Sequence, residues 1–294
     1  MKTKSLEAKT KVAGWYFVTP AALLIFILSF VPMIRAFLLS LQAGIGNNTK
    51  FCGFQNYIRL FQDPSFRASL FNVIIYFIFQ VPIMLFVAIV LASILNDPNL
   101  KFRGLFRTIV FLPCATSLVA SALIFKSMFA VDGLINVILM NCHLISMPIS
   151  WLTHPIWAKV IVIFTITWRW TGYNTVFFLA GLQGIEYSVY EAAKIDGASA
   201  TQTFFKITIP QLKPVILLTA IMSTNGTLQL FDEVKNLTGG GPGNSTLTIS
   251  QYIYNLSFQF NPQFGYAAAV SYAILIIVAF LSFIQIMVSD RSES

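Results

Sequence analysis

The chain has 294 residues, 56% of them hydrophobic and 10% charged, with a mean hydropathy of +0.75. About a quarter of a soluble domain is charged, so this chain lacks the polar surface of a soluble fold and reads as an integral membrane protein. Its formal charge of +8 would suggest nucleic acid in a soluble protein; here it is assigned to basic loops beside anionic membrane lipid, and no nucleic-acid partner is expected.

A spanning helix needs about 20 mostly apolar residues, and six segments qualify. The first, 14–41, follows a basic N-terminal segment, 1–13. Its apolar run is too long for a cleaved signal peptide and has no A-x-A site. An outer loop extends to residue 68. The second and third spans, 69–95 and 105–130, flank the basic loop "KFRGLFR". The fourth, 156–181, follows a loop over 131–155 that holds both histidines, His143 and His154. Two histidines alone make a poor metal site, and none is expected. The fifth and sixth spans, 213–232 and 266–288, flank a glycine-rich loop, and a tail covers 289–294. Pro20, Pro32 and Pro82 fall within spans and are expected to kink them, their neighbours satisfying the freed backbone groups.

With both termini inside, the inner segments carry Lys2, Lys4, Lys9, Lys11, Lys101, Arg103, Arg107, Lys194, Lys206, Lys213 and Arg291. The outer loops carry only Lys50, Arg59, Arg67 and Lys235. The excess of inner basic residues selects this orientation. The expected fold is therefore an all-α polytopic membrane protein with six transmembrane helices and cytoplasmic ends. Its organisation would be 1–13, then 14–68 with the first helix and outer loop, a membrane core over 69–288, and the tail 289–294. Cys52, Cys114 and Cys142 form no C-x-x-C pair, and neither a disulfide framework nor a zinc site is expected. Five N-x-[ST] matches occur, at Asn47, Asn225, Asn236, Asn244 and Asn255. Asn225 falls inside a span, which marks them as chance matches.

The inner stretch "EAAKIDGASATQTFFKITIPQLKP", 191–214, is unusually ordered for a loop. "EAAKID" predicts a short helix with Glu191 near its positive end. Gly197 stands where that helix would stop, in the left-handed position glycine adopts cheaply. Ser199 can cap a second helix over 200–208. Pro210 would end it, and Pro214 would open the fifth span. Phe204, Ile207 and Thr208 share one face, and Ala192, Ala193, Gly197 and Ala198 form a small-residue patch. The unit reads as a helix–turn–helix elbow that offers an apolar face to a partner. The plainer alternative is a loop lying on lipid.

Polar residues inside spans are costly and suggest function. Ser223 and Thr227 share one face of the fifth span, and Asn225 and Gln229 another. "TWRWTGYN" in the fourth brings Trp168, Arg169, Trp170, Tyr173 and Asn174; the third brings Cys114 and Ser117 after Pro113. Against a role in a pathway, Ser and Thr often bond their own helix backbone and Trp often marks the membrane interface. Arg169 reads as a gating or anion-binding group, or as a side chain snorkelling to the interface. No phosphate-binding G-x-x-x-x-G-K-[ST] pattern occurs, and no intramembrane carboxylate relay. Any energy for uphill transport must come from another chain. A membrane enzyme acting on lipid or cell-wall precursors would need an interfacial cluster of acids or histidines, and a self-sufficient secondary transporter would need inverted repeats and buried charges. Neither signature is present in the sequence.

The pattern "EAAKIDGA" followed by "FFKITIP" and a second proline resembles the EAA loop of permease subunits of binding-protein-dependent ABC importers. "FCGFQNYIRLFQDPSF", "RGLFRTIVFLP", "AGLQGIEYSVYEAA", "LTGGGP" and "FGYAAAVSYAIL" extend the resemblance to the sugar and glycerol-phosphate type over nearly the whole chain. The "LTGGGPGNST" loop resembles the larger permease of maltose-type transporters without its periplasmic insertion. Thr201 stands where an aromatic is often found, and Ile185-Glu186 where Ile-Pro is usual. The resemblance implies a type I importer permease in the bacterial cell membrane, itself non-catalytic and holding no cofactor. Its partners would be a second permease, an ATPase dimer that binds ATP and Mg, and an extracytoplasmic solute-binding protein. It implies a coupling role for Glu191, Ala192, Ala193, Asp196, Gly197, Ala198 and Phe204. It places a sugar pathway among the third, fourth and fifth spans, with Cys114, Ser117, Arg169, Trp170, Tyr173, Asn174, Ser223 and Thr227 as its candidate residues.

Overall fold

The computed structural model describes residues 2–46 and 48–290. Asn47, Arg291 and the tail beyond residue 290 lie outside the described residues. In chain order the elements are α1 (Lys2–Ile25), a π-helical turn (Phe26–Phe30), α2 (Val31–Ser40), β1 (Gln42–Ile45), β2 (Asn48–Phe51) and α3 (Gln55–Gln62). Next come α4 (Pro64–Asn96), α5 (Arg103–Ala115), α6 (Leu118–Met128), α7 (Leu134–Asn141) and α8 (Pro155–Gln183). There follow α9 (Tyr187–Ile195), α10 (Ala200–Thr203), a π turn (Phe204–Thr208), α11 (Ile209–Gln211), α12 (Lys213–Leu228) and α13 (Asp232–Leu237). The chain closes with α14 (Ile249–Tyr254), a third π turn (Asn255–Gln259) and α15 (Phe264–Asp290).

Among the described residues, three segments are long and apolar enough to cross a membrane unaided: Ala13–Ser40, Pro64–Asn96 and Phe264–Met287. Two bent pairs pass the same test, α5 with α6 at 95° and α10–α11 with α12 at 71°, giving up to five spans against the six expected. The remaining segment, α8, has 29 residues, enough length to span. Its middle turns carry Arg169, Thr171, Asn174 and Thr175, all buried, so its polarity is spent inside the protein. The third expected span is not one helix: it breaks at Thr116–Ser117. The fifth ends at Leu228 instead of residue 232.

The chain divides into two compact units. One comprises residues 1–62 and 253–273. Here the stretch after the first span is more than loop. It forms an antiparallel hairpin in which Gln42 pairs with Phe51 and Ile45 with Asn48, then α3. Asn56 ties these pieces together, its amide donating to the carbonyls of Ser40 and Gln42 at 2.8 Å. Gly265 lets α15 approach closely, since a Cβ there would lie 1.9 Å from the Gln42 carbonyl oxygen. The π turn ahead of Pro32 absorbs the hydrogen bond that proline cannot make.

The second unit, residues 63–252 and 274–294, holds both candidate sites. Asp63 caps α4, accepting from the backbone N–H groups of Ser65 and Phe66 at 2.8 and 3.2 Å, and Pro64 fills the first turn, where its missing N–H costs nothing. The helix then packs along α8. Ala88 and Ala92, fully buried one turn apart, let Phe178, Leu179 and Leu182 close onto it. In lipid no hydrophobic drive brings helices together, so such small-residue contacts and van der Waals packing carry the association. The approach of α5 to α8 is closer still. A Cβ on Gly172 would sit 2.0 Å from the Val110 carbonyl oxygen.

Candidate functional site

The elbow folds largely as expected, with three differences. Its first helix begins at Tyr187, so Glu191 lies mid-helix, away from the positive end. That helix ends in a complete Schellman motif: Ala198 N–H donates to the Ala193 carbonyl at 2.9 Å and Gly197 N–H to that of Lys194 at 3.2 Å. Gly197 takes φ +75°, the left-handed conformation that the motif requires. Ser199 caps α10 in a capping box with Gln202. Pro210 does not end the second helix, because the π turn over Phe204–Thr208 accommodates it and α11 continues to Gln211. Pro214 does sit in the first turn of α12.

The third difference concerns the exposed face. Thr208 is buried, and the Phe204 ring packs against the core shared by α4, α8 and Leu212. This apolar face anchors the elbow to the body instead of facing out. The side chains left outside are Glu191, Ala192, Asp196, Ile195 and Phe205, with Ile195 86% exposed. Ala193 is buried and Ala198 half-buried. A groove of about 530 Å³ opens among Ala192, Ala193, Gly197, Ala198, Lys206 and Ile207.

Gly197 offers a direct test of the turn. A Cβ there meets no atom within 4 Å, so a substitution acts through backbone strain alone. Gly197→Val is expected to destabilise the elbow by about 1–2 kcal/mol, and Gly197→Asn by much less. Amide hydrogen exchange over residues 187–203 should rise in the valine variant; equal exchange in both variants would refute the requirement for left-handed geometry.

The second site is a cavity of about 310 Å³ walled by α4, α8 and α12. Trp170, Tyr173, Asn174, Ser223 and Thr227 all line it, so five of the eight residues expected in the pathway come together. The polar ones are cross-braced. Thr227 Oγ1 donates to Gln80 Oε1 at 2.7 Å, and Ser223 Oγ to Asn174 Oδ1 at 3.4 Å. Trp170 and Tyr173 stack edge to face, their ring centroids 5.8 Å apart. The Trp170 indole N–H donates to Glu233 Oε1 at 3.2 Å. Glu233 lies beyond the fifth span, on α13. Burial raises its carboxyl above the ordinary value, while its own backbone N–H, the Trp170 bond and the Arg169 charge pull it down.

Cys114, Ser117 and Arg169 do not line the cavity; they meet at the α5–α6 break. Arg169 does not snorkel, and its side chain is turned to the break instead of the cavity. It is 5% exposed and donates to the carbonyls of Pro113 at 3.2 Å, Thr116 at 2.9 Å and Cys114 at 3.4 Å. These are carbonyls that the end of α5 leaves without helical partners, and a cation there also complements the helix dipole. Ser117 caps α6, accepting from Ala120 N–H. Gln229, paired with Asn225 in the sequence, also lines the cavity, while Gln80, Met84, Asp232 and Glu233 were absent from the expected wall. Gln80 had a signal: it is the only amide side chain between Asn72 and Asn96 in an otherwise apolar run. Glu233 had none, since nothing local in the sequence turns α13 back toward α8.

The two sites lie on shared elements. From the cavity wall at Trp170 and Asn174, α8 runs to Gln183 and into the elbow, which leads in turn through α12 to Ser223 and Thr227. The glycine-rich loop sits toward the other end of α4: Asn72 donates to the carbonyls of Asn244 and Leu247 at 2.9 and 3.0 Å, and Tyr76 to that of Thr246 at 3.3 Å. The C-terminal end of α4, at Ile94 and Asp97, shares a groove with Tyr190 and Lys194 of the elbow.

Comparison with known proteins fits this geometry. Residues 61–292 match the family described as the binding-protein-dependent transport system inner membrane component. The chain is 56% identical over 283 residues to the lactose transport system permease protein LacF of Rhizobium radiobacter, covering 96% of this chain and 95% of that one. It is 34% identical over 284 residues to the trehalose/maltose transport system permease protein MalF of Thermococcus litoralis, covering 96% and 94%. Among solved structures, a chain of a bacterial ABC transporter involved in the import of the acidic polysaccharide alginate superposes with a TM-score of 0.85 at 24% identity, covering 97% of each chain. That likeness is one of fold.

Proposed function

The chain belongs to the family of binding-protein-dependent transport system inner membrane components, and on that premise we propose that it forms, with a second permease, the path by which an ATP-driven importer carries a small oligosaccharide across the bacterial inner membrane. It is a membrane-embedded ABC sugar-transport permease; the cavity would be part of its pathway and the elbow its contact with the ATPase. The observation that carries this reading is the continuity of the two sites through α8 and α12. A displacement of the elbow reaches two cavity walls through short connections, residues 184–186 into α8 and Leu212 into α12, as rigid-body switching requires. The wall itself suits a sugar. Trp170 and Tyr173 offer aromatic faces, while Gln80, Asn174 and Ser223 offer hydrogen-bonding groups inside a largely apolar recess. The lactose-transport relative supports a saccharide of that size.

On this reading the ATPase dimer, carrying its own ATP and Mg, docks on Glu191, Ala192, Ile195, Asp196, Gly197 and Ala198. Ala193 and Phe204 act from within by holding the elbow on the body. An extracytoplasmic binding protein delivers the sugar on the side of the glycine-rich loop, both termini are cytoplasmic, and this chain holds no cofactor. In the intact complex, with Cys52, Cys114 and Cys142 replaced, Ala198→Cys is expected to crosslink to the ATPase in an ATP-dependent manner. Met147→Cys, exposed in the 131–155 loop, should give no crosslink. If no position from Glu191 to Thr208 crosslinks, the elbow is not the coupling contact.

A further inference from the structure

Of the sixteen residues lining the cavity, Asp232 and Glu233 are acidic and none is basic. Arg169 is absent from the wall and its two terminal nitrogens donate to the broken end of α5; its charge reaches Glu233 from behind the wall and offsets part of the acidic charge without offering a donor to a ligand. The lining donors are also largely engaged. The Trp170 N–H is held by Glu233, the Asn174 amide donates to the Trp170 carbonyl at 3.0 Å, and the Ser223 and Thr227 hydroxyls donate to side-chain amide oxygens. Besides the Tyr173 hydroxyl and the Gln229 amide, what remains toward the cavity is two acidic side chains and aromatic faces. A neutral saccharide brings many O–H donors and satisfies such a wall. A uronate, sulfonate or phosphate group adds acceptors and a like charge.

We propose that Asp232 and Glu233 make the cavity an electrostatic filter that admits neutral saccharides and rejects anionic ones of the same size. This rests on the reading of the cavity as the sugar pathway. A like charge about 6 Å away, at an effective dielectric near 20, lowers affinity on the order of a hundredfold; Asp232 is exposed, and screening reduces its share.

The test measures binding to the purified intact complex in nanodiscs without binding protein, so that selection upstream does not enter. Two probes are compared: lactose, and lactose oxidised at one C6 to a uronic acid. The unsubstituted complex is expected to bind lactose at least about tenfold more tightly than the uronate. In Asp232→Asn with Glu233→Gln that ratio should fall toward one. Should Glu233→Gln fail to fold, Asp232→Asn alone should lower the ratio at least about threefold. Lactose binding that Trp170→Ala weakens, with an unchanged ratio in the acid variants, would overturn the filter and leave the pathway reading standing. Lactose binding insensitive to Trp170→Ala would overturn the pathway reading, and the filter with it.

Discussion

Gly172→Ala is expected to lower the melting temperature of the purified assembly by about 6 °C or more, taking roughly 3 kcal/mol from its stability. The reason is local and severe. The added Cβ would lie 2.0 Å from the Val110 carbonyl oxygen, a backbone atom with no rotamer to yield, so α5 must move off α8. Overpacking against a flexible side chain is often absorbed; overpacking against a carbonyl displaces a whole helix. The effect should also reach transport, because α8 carries Trp170, Tyr173 and Asn174 on the turns around the contact. Gly226→Ala is the internal control. A Cβ on Gly226 meets nothing within 4 Å, and alanine is the better helix former by about 1 kcal/mol, so this variant should melt no lower than the unsubstituted protein. Equal melting of the two variants would show that α5 and α8 do not pack through Gly172.

Arg169→Met is expected to cost about 3 kcal/mol or more and to abolish uptake. Methionine fills much of the volume but donates nothing, leaving the carbonyls of Pro113, Cys114 and Thr116 short of partners around a 95° bend. Thr116 Oγ1 still reaches the Pro113 carbonyl at 2.7 Å, which limits but does not cancel the loss. Arg169→Lys keeps the charge yet presents a compact ammonium where a planar fork reached several acceptors, and it should recover only part of the stability. A gating or anion-binding arginine would behave otherwise: its loss would change sugar affinity or selectivity and leave the melting temperature alone. Thermal unfolding and uptake measured on the same three proteins separate the two roles.

Much of the architecture could be read from the chain. Apolar runs located the long helices, and Gly197, Ser199 and Pro214 fixed the turn, cap and start because each acts within a few residues of itself. What escaped prediction depended on partners distant in sequence. Pro210 suggested a stop, but a π turn carried the helix past it. Phe204 and Thr208 looked outward because periodicity identifies a face without saying what lies opposite, and here α4 and α8 do. Arg169 was counted with the pathway because an intramembrane charge signals function; its use became visible only when the break in α5–α6 exposed the carbonyls it serves. Glu233 entered the cavity through a reversal of the chain after Leu228 that no local propensity marks.

The mounting of the glycine-rich loop has a consequence for how such proteins diversify. Asn72 and Tyr76 hold it through the carbonyls of Asn244, Thr246 and Leu247, and a carbonyl is the same whatever side chain its residue bears. The fastening is thus indifferent to residue identity on the outward surface, where Gly243 and Asn244 are exposed. What limits them is the backbone, since Gly243 and Asn244 take left-handed φ of +55° and +63°, which glycine and asparagine adopt most cheaply. Substitution at Asn72 would instead loosen every version of the loop alike.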